Sequence, residues 1–128
     1  MAELILPDTD VLIDFLRGYH QAIDFINTNS SQIILSVIVV AEVYAGVRGN
    51  QELMILDNFV SLFEVIPVNS EIAKIGGLYK RDFGKSHGVG LADAIIAATC
   101  SLKNAQLKTL NVKHYPMIKK LEPAYIKF

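Results

Sequence analysis

The sequence predicts an α/β fold, with a parallel sheet covered by helices on both faces. Short apolar runs of strand type alternate with segments of helical periodicity along the 128 residues. No repeat, low-complexity stretch or Pro/Gly/Ser linker divides the chain, so a single domain spans 1–128. Hydrophobic residues make up 52% against 20% charged, a balance that excludes disorder and suggests a globular protein with much buried helix.

Each element is justified by its own pattern. Residues 3–7, ELILP, read as a short buried strand, and 11–17 as a helix with Val11, Leu12, Phe15 and Leu16 inward, ended by Gly18. A second short helix covers 20–27 and a strand covers 32–35. Ser36 is the expected N-cap of a helix over 37–47, stopped by Gly49. Residues 51–63 continue as a helix whose apolar face is unusually wide: Leu53, Met54, Ile55, Leu56, Phe59, Val60, Leu62 and Phe63. With a mean hydropathy of +0.35, that breadth predicts an oligomer or partner interface. A strand over 64–68 comes next, then a long helix capped by Ser70 and reaching Lys85. The Gly88 and Gly90 loop leads into a helix over 91–103 and a strand over 106–110. A helical turn over 113–118 and a terminal strand near Tyr125 close the chain. Strands separated by helices call for right-handed crossovers between parallel neighbours.

Composition also removes several functional classes. The longest apolar stretch, 33–47, carries Glu42 and falls short of the roughly 20 residues a membrane helix needs. MAELILPD has no basic region followed by an apolar one and a cleavage site, so a cytoplasmic protein is expected. Cys100 is the only cysteine, which allows no internal disulfide, and it reads as a small core residue. The net charge of −1 does not by itself suggest nucleic acid. Its distribution does: residues 1–64 hold two basic and nine acidic residues, while 65–128 hold ten basic and four acidic. Such asymmetry suits an acidic metal site beside a basic surface for a polyanion, or simply solvated helix faces.

Three carboxylates stand where an ordinary core would put none: Asp8 after ELILP, Glu42 inside SVIVVAEVYAGV, and Asp93 inside GLADAIIAATC. Their apolar neighbours predict that all three are buried together. An uncompensated buried carboxylate costs several kcal/mol, so a positive partner is required, and oxygen ligands from distant segments suit a hard cation such as Mg2+ or Mn2+. Each acid also has another reading. Asp10, in DTD, belongs either to metal-assisted phosphate chemistry or, like Thr9, to a cap on the helix starting at Val11. Asp14, one turn on, reads as a solvated or salt-bridged acid. Glu42 could pair with Arg48 or Arg17, and Asp93 could be held by the dipole of its own helix. In parallel sheets the ligand crevice lies beyond the carboxyl ends of the strands. Asp8 succeeds the first strand and Asn111 the fourth, and the helices bearing Glu42 and Asp93 flank the same edge, so the four are expected to converge.

The sequences DTDVLIDFLRG at Asp8, SVIVVAEVYAG at Glu42, GLADAIIAAT at Asp93 and TLNVKHY over 109–115 together resemble the PIN-domain family, in particular the VapC toxins of VapBC toxin–antitoxin systems. The resemblance runs over essentially the whole chain. It implies a three-layer α/β/α sandwich with a central parallel sheet, Mg2+- or Mn2+-dependent ribonuclease activity, a homodimer and a cognate VapB-type antitoxin. Catalysis would rest on Asp8, Glu42, Asp93 and Asn111, the first three holding the metal. Water would be the nucleophile, leaving 5′-phosphate and 3′-hydroxyl ends. The family commonly has a fourth acid in its last motif, where this chain offers Asn111 and His114. Asn111 could serve through its carbonyl oxygen and Thr109 through its hydroxyl; His114 could be a general acid or a packing residue. Fewer acids favour one firmly bound ion, with a second recruited by the substrate phosphate.

Two other functions remain open at this level. In a haloacid dehalogenase-type phosphohydrolase Asp8 would be the nucleophile and Asp10 the acid/base, leaving Glu42 unexplained. A non-catalytic binding module would keep the acids as a structural metal site or an antitoxin-binding face. Lys80, Arg81, Lys85, Lys108 and Lys113 are the expected RNA phosphate contacts; such contacts position RNA without reading its bases, so the RNA cleaved is not encoded in this pattern.

Overall fold

Ile5 and Leu6 are buried while Leu4 faces solvent, so the first strand, β1 (Leu4–Pro7), enters from the surface and ends in the core. The structure is a computed structural model that describes residues 3–127. β1 pairs in parallel with β4 (Ala105–Lys108), Leu6 opposite Leu107. A parallel bridge from Ile5 to Ile33 leads to β2 (Ile34–Ser36), which pairs in parallel with β3 (Glu64–Ile66). The order β3-β2-β1-β4 is the central parallel sheet expected of the sequence.

Helices pack around it in two groups. Four of them, α1 (Thr9–Leu16), α2 (His20–Thr28), α3 (Val37–Ala45) and α4 (Gly49–Val60), form contacts among themselves. The others, α5 (Ser70–His87) and α6 (Leu91–Lys103), pair with each other, and α6 reaches β4. Gly76 makes the α5–α6 pairing close: a Cβ there would lie 2.9 Å from Ile95 Cγ1. One core joins both groups, with Leu6, Leu12, Leu35, Leu56, Ile72 and Ile96 each almost wholly buried. Cys100 lies within it, 4% exposed, and burial pushes its thiol up to about 12.

Several boundaries depart from the sequence reading for identifiable reasons. The first helix begins at Thr9 and its cap is Asp8, not Asp10 or Thr9, because Asp8 Oδ1 accepts from Thr9 N at 2.8 Å. Ser36 caps α3 as expected, whereas α5 is capped by Asn69 rather than Ser70, its Oδ1 accepting from Ile72 N at 2.8 Å. The α3 helix stops at Ala45 and α4 starts at Gly49, so the break falls earlier than expected. β4 ends at Lys108 because the next residues turn to bond Asp10: Leu110 N and Asn111 Nδ2 both donate to its Oδ2 at 3.0 Å. The turn expected over 113–118 shortens to a 3₁₀ turn, Val112–His114, since Pro116 has no N–H to continue it. The terminal strand reduces to one bridge, Thr109 to Pro123, with Ala124 N donating to Thr109 O at 2.9 Å. Tyr125 instead stacks on Tyr19 and donates to Asp14 Oδ2 at 2.8 Å, while Lys127 pairs with Asp14 Oδ1 at 2.9 Å.

Candidate active site

The carboxyl end of β1 hands Asp8 directly to the first turn of α1. Its backbone N–H extends the parallel ladder by one bond to Lys108 O, 2.8 Å, which holds the residue beside the end of β4. With Oδ1 spent on the helix cap, Oδ2 accepts from Thr109 Oγ1 and from Tyr115 Oη, each at 2.8 Å. Asp8 is 6% exposed.

Asp93 arrives from the first turn of α6 and meets the same tyrosine: Tyr115 Oη lies 3.3 Å from Asp93 Oδ1. Its other oxygen lies 3.5 Å from His114 Nδ1. Glu42 comes from the middle of α3 and joins through α1, where Thr9 Oγ1 donates to its Oε1 at 2.6 Å. Asn111 turns its amide to Asp10 Oδ2 at 3.0 Å rather than to the other acids, and its backbone N–H donates to Thr109 Oγ1 at 3.0 Å.

Proton accounting shows what this arrangement lacks. The Tyr115 hydroxyl has one proton and faces two carboxylates; the Thr109 hydroxyl has one proton and faces Asp8 at 2.8 Å and Asp10 Oδ2 at 3.3 Å. Each proton serves one carboxylate at a time, and in both cases the shorter distance is to Asp8. Among the described residues Asp93 has only this divided hydroxyl and His114 beside it, and burial and, after it, the nearby Asp8 charge raise its carboxyl above the usual range, His114 and then Tyr115 opposing and Glu42 adding to the rise. Asp10 is pushed up to about 6, chiefly by burial and then by Asp8, although Leu110 and Thr109 bond it. Burial and Asp8 likewise raise the Tyr115 phenol, so it stays a proton donor. The site therefore carries more negative charge than its own donors offset.

A hard divalent cation fits that deficit by the chemistry of the donor set: Asp8, Glu42 and Asp93 offer oxygen only. Among the described residues no group of three or more acids, histidines or cysteines stands close enough together to hold a metal ion as placed. The carboxylates are spaced instead by the hydroxyls of Thr9 and Tyr115. A cavity of about 560 Å3 elsewhere, bordered by Tyr79, Cys100, Lys108, Ile118 and Lys120, includes none of these acids.

Two expectations need correction. The three acids are not equally buried: Glu42 and Asp93 are only half-buried, since the crevice at the strand ends opens to solvent and α3 buries Val39 and Val43 but exposes Val37 and Ala41. Glu42 has no arginine partner either. Arg17 donates to Gly46 O at 3.1 Å and lies 3.8 Å from Glu52, while Arg48 is exposed and gives its backbone N–H to Glu52 at 2.8 Å. Of the basic residues, Lys80 Nζ donates to Val89 O at 2.7 Å and Arg81 to Asp82 at 2.8 Å; Lys85 and Lys113 are exposed, and Lys108 is half-buried. Sequence reading missed Thr9 as the partner of Glu42 and Tyr115 as the link between Asp8 and Asp93. The signal for Tyr115 was available, because a tyrosine closing an apolar-polar motif tends to bury its ring and needs a partner for its hydroxyl.

The chain belongs to the PIN-domain family, whose profile, described as PIN domain, matches residues 5–115. It is 40% identical over 125 residues to Ribonuclease VapC19 of Mycobacterium tuberculosis, covering 94% of this chain and 98% of that one. Ribonuclease VapC10 of the same organism is 36% identical over 125 residues, covering 95% and 93%. Among solved structures, a chain of a toxin–antitoxin complex from Klebsiella pneumoniae superposes with a TM-score of 0.82 at 27% identity, covering 94% of this chain and 98% of that one.

Proposed function

We propose that this chain is a divalent-metal-dependent ribonuclease, with Mg2+ or Mn2+, that acts in the cytoplasm as the toxin of a toxin–antitoxin pair. RNA is its substrate, a VapB-type antitoxin its inhibitor, and a homodimer its assembly. The observation that carries this reading is the single Tyr115 hydroxyl shared by Asp8 and Asp93, with Glu42 tied in through Thr9, at the open end of a parallel sheet. Relatives named ribonucleases and a similar chain from a toxin–antitoxin complex support it.

Asp8, Glu42 and Asp93 would hold the ion, which when bound lowers the pKa of water and offsets charge growing on the phosphate. Thr109 and Tyr115 aim Asp8 by donating to its Oδ2, and Thr9 restrains Glu42. Asn111 acts indirectly: with Leu110 it ties the segment after β4 to Asp10, which fixes Thr109 against Asp8. Lys85 and Lys113, both exposed, are left to meet the RNA backbone.

Asp93→Asn tests the assignment. RNA cleavage by the purified variant should fall by at least about a hundred-fold, the order seen when one electrostatic stabiliser of a transition state is removed, with the melting temperature no lower than that of the unaltered protein. Chelation should abolish cleavage by the unaltered protein and Mg2+ or Mn2+ restore it. Products ending in 2′,3′-cyclic phosphate, or cleavage undiminished in Asp93→Asn, would sink the proposal.

A further inference from the structure

His114 stands on the 3₁₀ turn immediately before Tyr115, so the residue that links Asp8 and Asp93 also fixes where the imidazole sits. The ring is more than half exposed, at 59%, and its Nδ1 lies 3.5 Å from Asp93 Oδ2. That separation exceeds the roughly 2.7 to 3.2 Å of a good N–H···O bond. It is an ion-pair distance, and it equally matches that between two donor atoms on one small divalent ion, roughly 3 to 3.6 Å for bonds near 2.1 Å. No other side-chain partner holds the ring among the described residues. Asn111, in the same motif, is committed to Asp10.

We propose that His114 is a nitrogen ligand to the ion bound by Asp93, and that this makes the centre select Mn2+ over Mg2+. The inference rests on the metal-centre reading given above. Mg2+ keeps to oxygen ligands and sheds water reluctantly, whereas Mn2+ stands above it in affinity for sites that include imidazole. A neutral imidazole nitrogen beside Asp93 adds a ligand without adding negative charge, which favours a borderline ion over a hard one.

The test is metal binding without RNA, on the full chain. Mn2+ and Mg2+ are titrated by calorimetry into the unaltered protein, His114→Ala, His114→Asp and Asp93→Asn, with circular dichroism confirming the fold of each. The unaltered protein should bind Mn2+ at least about tenfold more tightly than Mg2+, one first-row ligand preference of the usual order. His114→Ala should lose about tenfold in Mn2+ affinity while Mg2+ affinity changes less than about twofold, and His114→Asp should narrow the preference by raising Mg2+ affinity. Electron spin echo modulation from a ligating nitrogen should appear with Mn2+ in the unaltered protein and vanish in His114→Ala. Equal Mn2+ affinity in His114→Ala and the unaltered protein, while Asp93→Asn loses binding, overturns the role of His114 and leaves the metal centre standing. Failure of the unaltered protein to bind either ion overturns both.

Discussion

Among the described residues Asp10 Oδ1 is buried without a hydrogen-bond partner, while its Oδ2 takes Leu110 N and Asn111 Nδ2 at 3.0 Å and lies 3.3 Å from Thr109 Oγ1. Such asymmetry places cost on the charged form. Folded Asp10 keeps its proton to about 6, whereas an unfolded aspartate releases it near 3.8, so between those values the folded state binds more protons. Stability contributed by this group therefore falls as pH rises from about 4 to about 6 and stays low above. Asp93, also raised, acts in the same direction. Asp10→Asn should match the unaltered protein near pH 4 and exceed it at pH 7 by about 1 to 2 kcal/mol, a figure reduced for solvent screening in an open crevice. Urea denaturation in chelator across that range checks it; a gap that does not change with pH would refute the account.

Two adjacent glycines in α5 show how far an element's environment decides what a residue does. Gly76 is buried, and a Cβ there would approach Ile95 Cγ1 to 2.9 Å and Ile95 Cα to 3.1 Å; Gly77 meets nothing within 4 Å. Gly76→Ala should destabilise by about 1 to 3 kcal/mol because the contact falls partly on backbone that cannot yield. Gly77→Ala should stabilise by roughly 0.5 to 1 kcal/mol through helix propensity alone. Paired urea curves separate the two, and equal shifts would show that α5 and α6 are not packed so closely. The helix itself was legible in the sequence as a long element from Ser70 to Lys85, close to the observed Ser70–His87. Which glycine faces α6 was not, because both are compatible with a helix and only the crossing of two helices distinguishes them.

Across the molecule, the face of α4 is the clearest unfilled surface. Leu56 and Phe59 are buried, but Met54 is 65% and Leu62, just past the helix, 75% exposed, with Leu53 and Ile55 also open to solvent. Apolar area of this kind on a small domain suits association, in keeping with the homodimer proposed above. The double change Met54→Glu and Leu62→Glu should convert a dimer into a monomer in sedimentation velocity without altering the circular dichroism spectrum. A mass unaffected by it would exclude this face. No helix among the described residues is long and apolar enough to cross a membrane.

Local pattern was sufficient for the succession of strands and helices, for Ser36 as a cap, for burial of Cys100, and for the choice of Asp8, Glu42 and Asp93 as unusual acids. Each of those depends on neighbours within a few residues or on the cost of charge in apolar surroundings. Other features were decided only when distant segments met. Asp10 became a tie between α1 and the segment after β4, across about a hundred residues of chain. Tyr115 became the hydroxyl that Asp8 and Asp93 share, and His114, not Asn111, became the side chain beside Asp93. Hydrogen bonds of that kind carry no period or spacing in the sequence, since their geometry is set by how parallel strands align their carboxyl ends.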